Sequence, residues 1–171
     1  LEMFAGQAAL AIENARLVES LRLRAETLAL FNEVSRSVTS KLDLNEVLKI
    51  VVEMAPRLLE CDRSSIYLLD ADTGRYVPRA AYGHALELIR SLTFAPGEGL
   101  AGVVVESGMP LAVENVSQDP RFVPGPEGVD IGASVLAPLT VGSQVVGILC
   151  VDREEPHIFS TTEVATLSAL A

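Results

Sequence analysis

Hydrophobic positions along this chain keep a helical period up to about residue 60 and then turn mainly strand-like. Over residues 1–37 Ala, Leu, Glu and Arg dominate, Pro is absent and Gly6 is the only glycine, a composition that predicts one long helix. Leu10, Leu17, Leu21, Leu28, Phe31 and Val38 fall on one seam of alternating three- and four-residue spacing, with Asn14, Arg24 and Ser35 filling its polar places. That is the pattern of a short coiled coil, and Asn14 would set register and a parallel pairing. A second stripe of Phe4, Ala8, Ala11, Ala15 and Val18 is small enough for another helix to approach closely. One stripe packing on the chain's own domain is the alternative, but a helix this long exceeds what one small domain covers, so the expectation is a homodimer through the N-terminal helix.

The helical period weakens near residues 35–40, and Asp43 with Glu46 then forms a capping-box signal. It predicts a helix from 44 to about 60, with Val47, Leu48, Val51, Val52 and Leu58 buried and with Pro56 loosening its ladder. After Cys61 the period becomes two. Strands at 64–70 and 75–82 flank a Gly-containing hairpin loop, a short helix or turn covers 84–90, and a third strand covers 91–95. Gly-rich residues then open a helix that Ser107-Gly108-Met109-Pro110 stops, before a fourth strand at 110–115. Residues 116–131, with Pro120, Pro124, Gly125, Pro126 and Gly128, form a loop long enough to be a lid. Gly142-Ser143 joins strands at 134–141 and 144–152, and Ser160 with Glu163 caps a last helix reaching Ala171. The final strand is apolar on both alternating faces. Helices cover one face, and a lid or a ligand must cover the other.

Charge narrows the partners. Thirteen basic against twenty-three acidic residues give a net charge of −10, which disfavours a nonspecific grip on nucleic acid or anionic lipid. No run approaches the length of a membrane span and nothing resembles a signal peptide, so a cytoplasmic location without membrane insertion is expected. Cys61 and Cys150 are too few and too separated for a disulfide framework, and neither belongs to a metal-spaced pair. Neither a metal site nor a catalytic residue is expected.

The chemistry centres on residues 94–122. Gly97, Gly99 and Gly102 spell G-x-G-x-x-G, and Asp119 follows at about the distance of a dinucleotide fingerprint. The helix that follows is too short for that fold, and no further strand–helix alternation continues it. Its first N–H groups, lacking partners within the helix, can instead face an anion or a carbonyl.

An ordered set of segments carries a family resemblance: Ile66-Tyr67-Leu68-Leu69-Asp70, Gly97-Glu98-Gly99-Leu100-Ala101-Gly102, Asn115-Val116, Asp119-Pro120-Arg121-Phe122, Pro138-Leu139, Gly147-Ile148-Leu149 and Phe159-Ser160. The chain over roughly residues 41–171 resembles a GAF domain of bacterial sensory proteins, with its last helix cut short. Residues 6–17 resemble the terminal GAF helix that runs into a signalling coiled coil, and Leu167 to Ala171 repeats the hydrophobic pattern of Leu1 to Ala5. Residues 1–40 therefore look like the tail of a preceding GAF domain.

The resemblance implies an α+β fold of the GAF/PAS-like, profilin type. Its antiparallel sheet has six strands, with helices on one face and a small-molecule pocket on the other, roofed by the segments between strands three and five. Carried over by position, the pocket candidates are Gly99, Leu100, Ala101 and Gly102 at the helix start, Asp119, Arg121 and Phe122 in the lid, and Ser134 on the next strand. Arg121 would pair with an anionic ligand. The alternative is a plain turn whose Asp119 caps and whose Phe122 plugs the core. The Asn-Lys-x-Phe-Asp-Glu signature of cyclic-nucleotide GAF domains is missing, no Cys-His pair suits a bilin, and neither His84 nor His157 is placed as a haem ligand. The ligand and any cofactor stay open. The implied function is a non-catalytic sensory or dimerisation module that signals through its terminal helices to an output enzyme such as a histidine kinase or nucleotide cyclase. Two alternatives are a cysteine-dependent free methionine sulfoxide reductase, which needs an exposed low-pKa thiol, and a ligand-free spacer.

Overall fold

The computed structural model describes residues 44–171; the expected long helix over 1–37, its dimer seam and the Asp43 cap lie outside the described residues. Helix α1, Leu44–Leu59, buries Leu48, Val52, Ala55 and Leu59, a three- and four-residue spacing that keeps one stripe inward. The expectation that Leu58 is buried is corrected: it is 55% exposed, and Leu59, one helical step round, holds the inward place.

Pro56 lies in the last turns of α1 and has no N–H to give the carbonyl of Val52, four residues back. The hydroxyl of Ser64, on the adjacent strand, donates to that carbonyl instead. Both residues are buried, so the bond replaces a ladder contact where no water could. Sequence alone offered no partner for the break at Pro56.

Five strands form one antiparallel sheet: β1 Arg63–Leu69, β2 Tyr76–Tyr82, β3 Leu111–Val113, β4 Ala133–Val141 and β5 Gln144–Arg153, in the order β2-β1-β5-β4-β3. The expected six strands are thus corrected to five among the described residues. Residues 91–95 make only one bridge, in which Phe94 and Tyr76 exchange backbone hydrogen bonds of 2.9 and 3.2 Å. At the next pairing position Leu92 gives its N–H to the Ile89 carbonyl at 2.8 Å and stands opposite Pro78, which has no N–H, while side chains take the outward-facing groups. Arg75 donates to the Thr93 carbonyl at 3.0 Å, and the Ala95 N–H donates to the Glu98 carboxylate at 2.8 Å. Pro96 then has no donor with which to extend a ladder.

The two faces of the sheet carry separate cores. Ile66, Val135, Leu149 and Val151 pack with α1 and with α4, Thr161–Leu170. Ser160 and Glu163 close a reciprocal capping box at the start of α4, as the sequence predicts. The other face holds Tyr67, Leu136, Ile148 and Cys150 against α2, Leu86–Ile89, and α3, Gly99–Ser107, with a single 3-10 turn at Val116–Gln118 leading into the long loop.

Candidate functional site

Alternation along the strands decides what faces α3. The residues Ser65 and Tyr67 of β1, Ser134 and Leu136 of β4, and Cys150 and Asp152 of β5 all line one cavity of about 380 Å³. Register sets them in rows: Arg63, Asp152 and Ser134 stand side by side across three strands, and Ser65, Cys150 and Leu136 form the next row. Thr93, Phe94 and the start of α3 make one wall, and Phe122, Val123, Gly125 and Ile131 from the long loop make the cover. The volume falls within the range of small-molecule sites, about 300–1,000 Å³.

The floor carries an unusual charge. Asp152 is 5% exposed, and its carboxyl receives one hydrogen bond from the described residues, from Ser134 Oγ to Oδ1 at 2.6 Å. Burial pushes its pKa up to about 6, against the pull of the Ser134 hydrogen bond and of the Arg63 guanidinium. Arg63 is itself committed to the Asp130 carbonyl and to Glu154. Burial also drives the Cys150 thiol well above its ordinary value, and raises Cys61 and the Tyr67 phenol.

The rim is acidic and already paired. Glu98 accepts from the Ala95 N–H and from Arg75 at 2.7 Å, which together hold its carboxyl below the usual range. Arg121 grips Asp119 through two bonds of 2.9 and 2.6 Å, and Asp119 is held at about 2 in consequence.

Of the residues expected in the pocket, Gly99, Leu100, Ala101, Phe122 and Ser134 stand around this cavity. Gly102, Asp119 and Arg121 do not. Gly102 is buried against its own loop, where a Cβ would come within 2.6 Å of the Ala95 carbonyl and 2.9 Å of the Gly97 backbone, so it closes the turn into α3. The Asp119 carboxylate also accepts from the Arg121 backbone N–H at 2.9 Å, tying the lid turn to itself. Ser65, Tyr67, Phe94, Cys150 and Asp152 were missed. The period-two alternation placed Cys150 and Asp152 on one face, but only the register joined that face to Ser65 and Ser134.

Both histidines lie away from the cavity. His84 has both ring nitrogens buried without a hydrogen-bond partner, and burial and Arg63 lower its pKa. His157 meets Glu163 at 3.2 Å. Among the described residues no group of three or more His, Cys, Asp or Glu side chains is placed to hold a metal ion, and no helix is long and apolar enough to cross a membrane.

The sheet therefore carries helices on both faces, α1 and α4 on one and α2 and α3 beside the loop-covered cavity on the other, and the profile of the GAF domain matches residues 43–171. The chain belongs to the GAF domain family. It is similar to the Nif-specific regulatory protein of Azospirillum lipoferum, 32% identical over 126 residues that cover 71% of this chain and 20% of that protein. The chain thus spans about a fifth of that relative's length. Among solved structures it is similar to the GAF domain from Acinetobacter phosphoenolpyruvate-protein phosphotransferase, with a TM-score of 0.71, 27% identity, and 85% and 87% of the two chains covered. It also shares the fold of free methionine-R-sulfoxide reductase from Neisseria meningitidis, with a TM-score of 0.67, 18% identity, and 81% and 80% covered.

Proposed function

We propose that this chain is a non-catalytic sensory module, in which a small molecule entering the cavity alters helix packing and so the state of an output domain elsewhere in the full protein. The observation that carries the reading is the two-faced sheet. A cavity of about 380 Å³ opens on one face, while α1 and α4 pack on the other face of the same strands. A ligand shifts such a protein only by its differential affinity for two packings, and the loop over the cavity and the helices behind it are the parts free to differ. Likeness to the Nif-specific regulatory protein supports a regulatory output, and a histidine kinase or nucleotide cyclase is the next to test. The spacing of Leu10, Leu17, Leu21 and Leu28 supports pairing of two copies through residues 1–40, read as the tail of an upstream domain.

The reductase reading requires a thiol of lowered pKa. Both thiols of this chain are pushed the other way by burial, which favours the sensor. Native mass spectrometry of the purified chain, followed by a thermal-shift screen of small metabolites, tests the proposal. The expected result is a compound that raises the melting temperature of the wild type and has no effect on Ala101→Trp, which fills the cavity wall. A screen without any stabilising compound, or one whose compounds act equally on the filled variant, refutes it.

A further inference from the structure

We propose that the cavity takes a cation: a protonated amine or amidine with an apolar or aromatic body, its charged end seated on Asp152. The inference rests on reading the cavity as the ligand site and adds the chemical class of the ligand. A buried carboxylate is costly unless paired, and here Oδ2 receives no hydrogen bond from the described residues while the side chain lines the cavity. A cationic donor entering the cavity supplies that partner. Ser65, 4% exposed on the neighbouring strand, adds a hydroxyl to the same floor.

The cations around the cavity are already spent. Arg63 is bonded to Glu154, Arg75 to Glu98 at 2.7 Å, and Arg121 to Asp119 at 2.6 Å. An anionic ligand would have to break one of these pairs and sit beside Asp152 and the Glu98 carboxylate. The remaining walls suit the body of an aromatic or aliphatic amine. Tyr67 and Phe94, with ring centroids 5.1 Å apart at 57°, both line the cavity, where aromatic rings attract positive charge, and Leu100 and Leu136 add apolar surface.

The test is titration calorimetry of the 171-residue chain at pH 8 with benzylamine and benzamidine against their uncharged and anionic counterparts, benzyl alcohol and benzoate. The two cations are expected to bind more tightly than benzyl alcohol, and benzoate not at all. Asp152→Asn should weaken the cations by about 30-fold or more and leave benzyl alcohol unchanged. Should that variant fail to fold, the wild type answers the same question. Between pH 8 and pH 5 the cations should lose affinity as Asp152 takes up a proton, while benzyl alcohol holds. The charged or titratable groups that act on Asp152 are Arg63, Tyr67, Cys150 and Cys61, and Glu98, its carboxyl held below the usual range, shares the cavity. Arginine carries a fixed charge, and burial moves the phenol and both thiols further above this window. Benzoate binding as well as benzylamine, or cation affinity indifferent to both Asp152→Asn and pH, overturns the inference while leaving the cavity a ligand site. If neither these four compounds nor the wider screen binds, the sensory reading falls with it.

Discussion

Asp152 should make the unliganded protein less stable at neutral pH than it needs to be. Asp152 is 5% exposed, and its pKa rises from 3.8 to about 6 on folding, with burial as the leading cause. A raised folded-state pKa means that the native protein binds this proton more tightly than the unfolded chain does. The contribution is therefore fully present below about pH 4 and is lost as pH rises through 6. At 1.36 kcal/mol per pKa unit, the ionised group costs on the order of 3 kcal/mol at pH 8, of which roughly 1.5 kcal/mol appears between pH 5 and pH 8. The substitution Asp152→Asn keeps the shape of the side chain and removes its ability to ionise. Urea unfolding of both proteins at pH 5 and pH 8 should show Asp152→Asn gaining stability on the wild type by that roughly 1.5 kcal/mol across the interval. A stability difference between the two proteins that stays the same at both pH values would refute the reasoning.

Other outcomes follow from single contacts. Ser64→Ala orphans the buried Val52 carbonyl and should cost about 1–3 kcal/mol in urea unfolding; in a Pro56→Ala background, where a backbone N–H is restored, the cost should shrink, and equal costs would dismiss the replacement bond. Gly102→Ala forces a Cβ to within 2.6 Å of the Ala95 carbonyl and should lower thermal stability by about 1–3 kcal/mol, whereas Gly108→Ala, with open space around it, should act only through its left-handed backbone. Ser160→Ala removes half of a capping box and should cost about 0.5–2 kcal/mol, read by thermal melting. A thiol reagent applied to the native protein at pH 8 should leave Cys150 unmodified until urea unfolds the chain; rapid modification in the native state would reopen the reductase reading.

Much of the fold was legible because its signals are local. The hairpin at Gly142-Ser143, the capping box of Ser160 and Glu163, and the stop of α3 at Gly108, which adopts φ 65°, depend on residues a few positions apart. The third expected strand failed for a reason that apolar alternation does not carry: the bridge between Phe94 and Tyr76 sets Leu92, whose N–H is spent on the Ile89 carbonyl, opposite Pro78, which has no N–H, and Pro96 stops the other side. The exposed Leu58 has a similar origin, since several apolar residues of α1 compete for one stripe and only packing chooses among them.

For the site, the sequence determined that a glycine-rich helix start and a long covering loop stand near one another along the chain, and that Cys150 and Asp152 share a strand face. It could not determine that Asp152 stands between Arg63 and Ser134, because strand register joins residues 89 and 18 positions away and is settled only when both faces of the sheet are packed. Nor could it tell that Arg121 would close on Asp119 rather than face the cavity. Composition marks which side chains can carry charge. Tertiary structure decides which of them are buried and which are already paired, because both depend on neighbours far away along the chain.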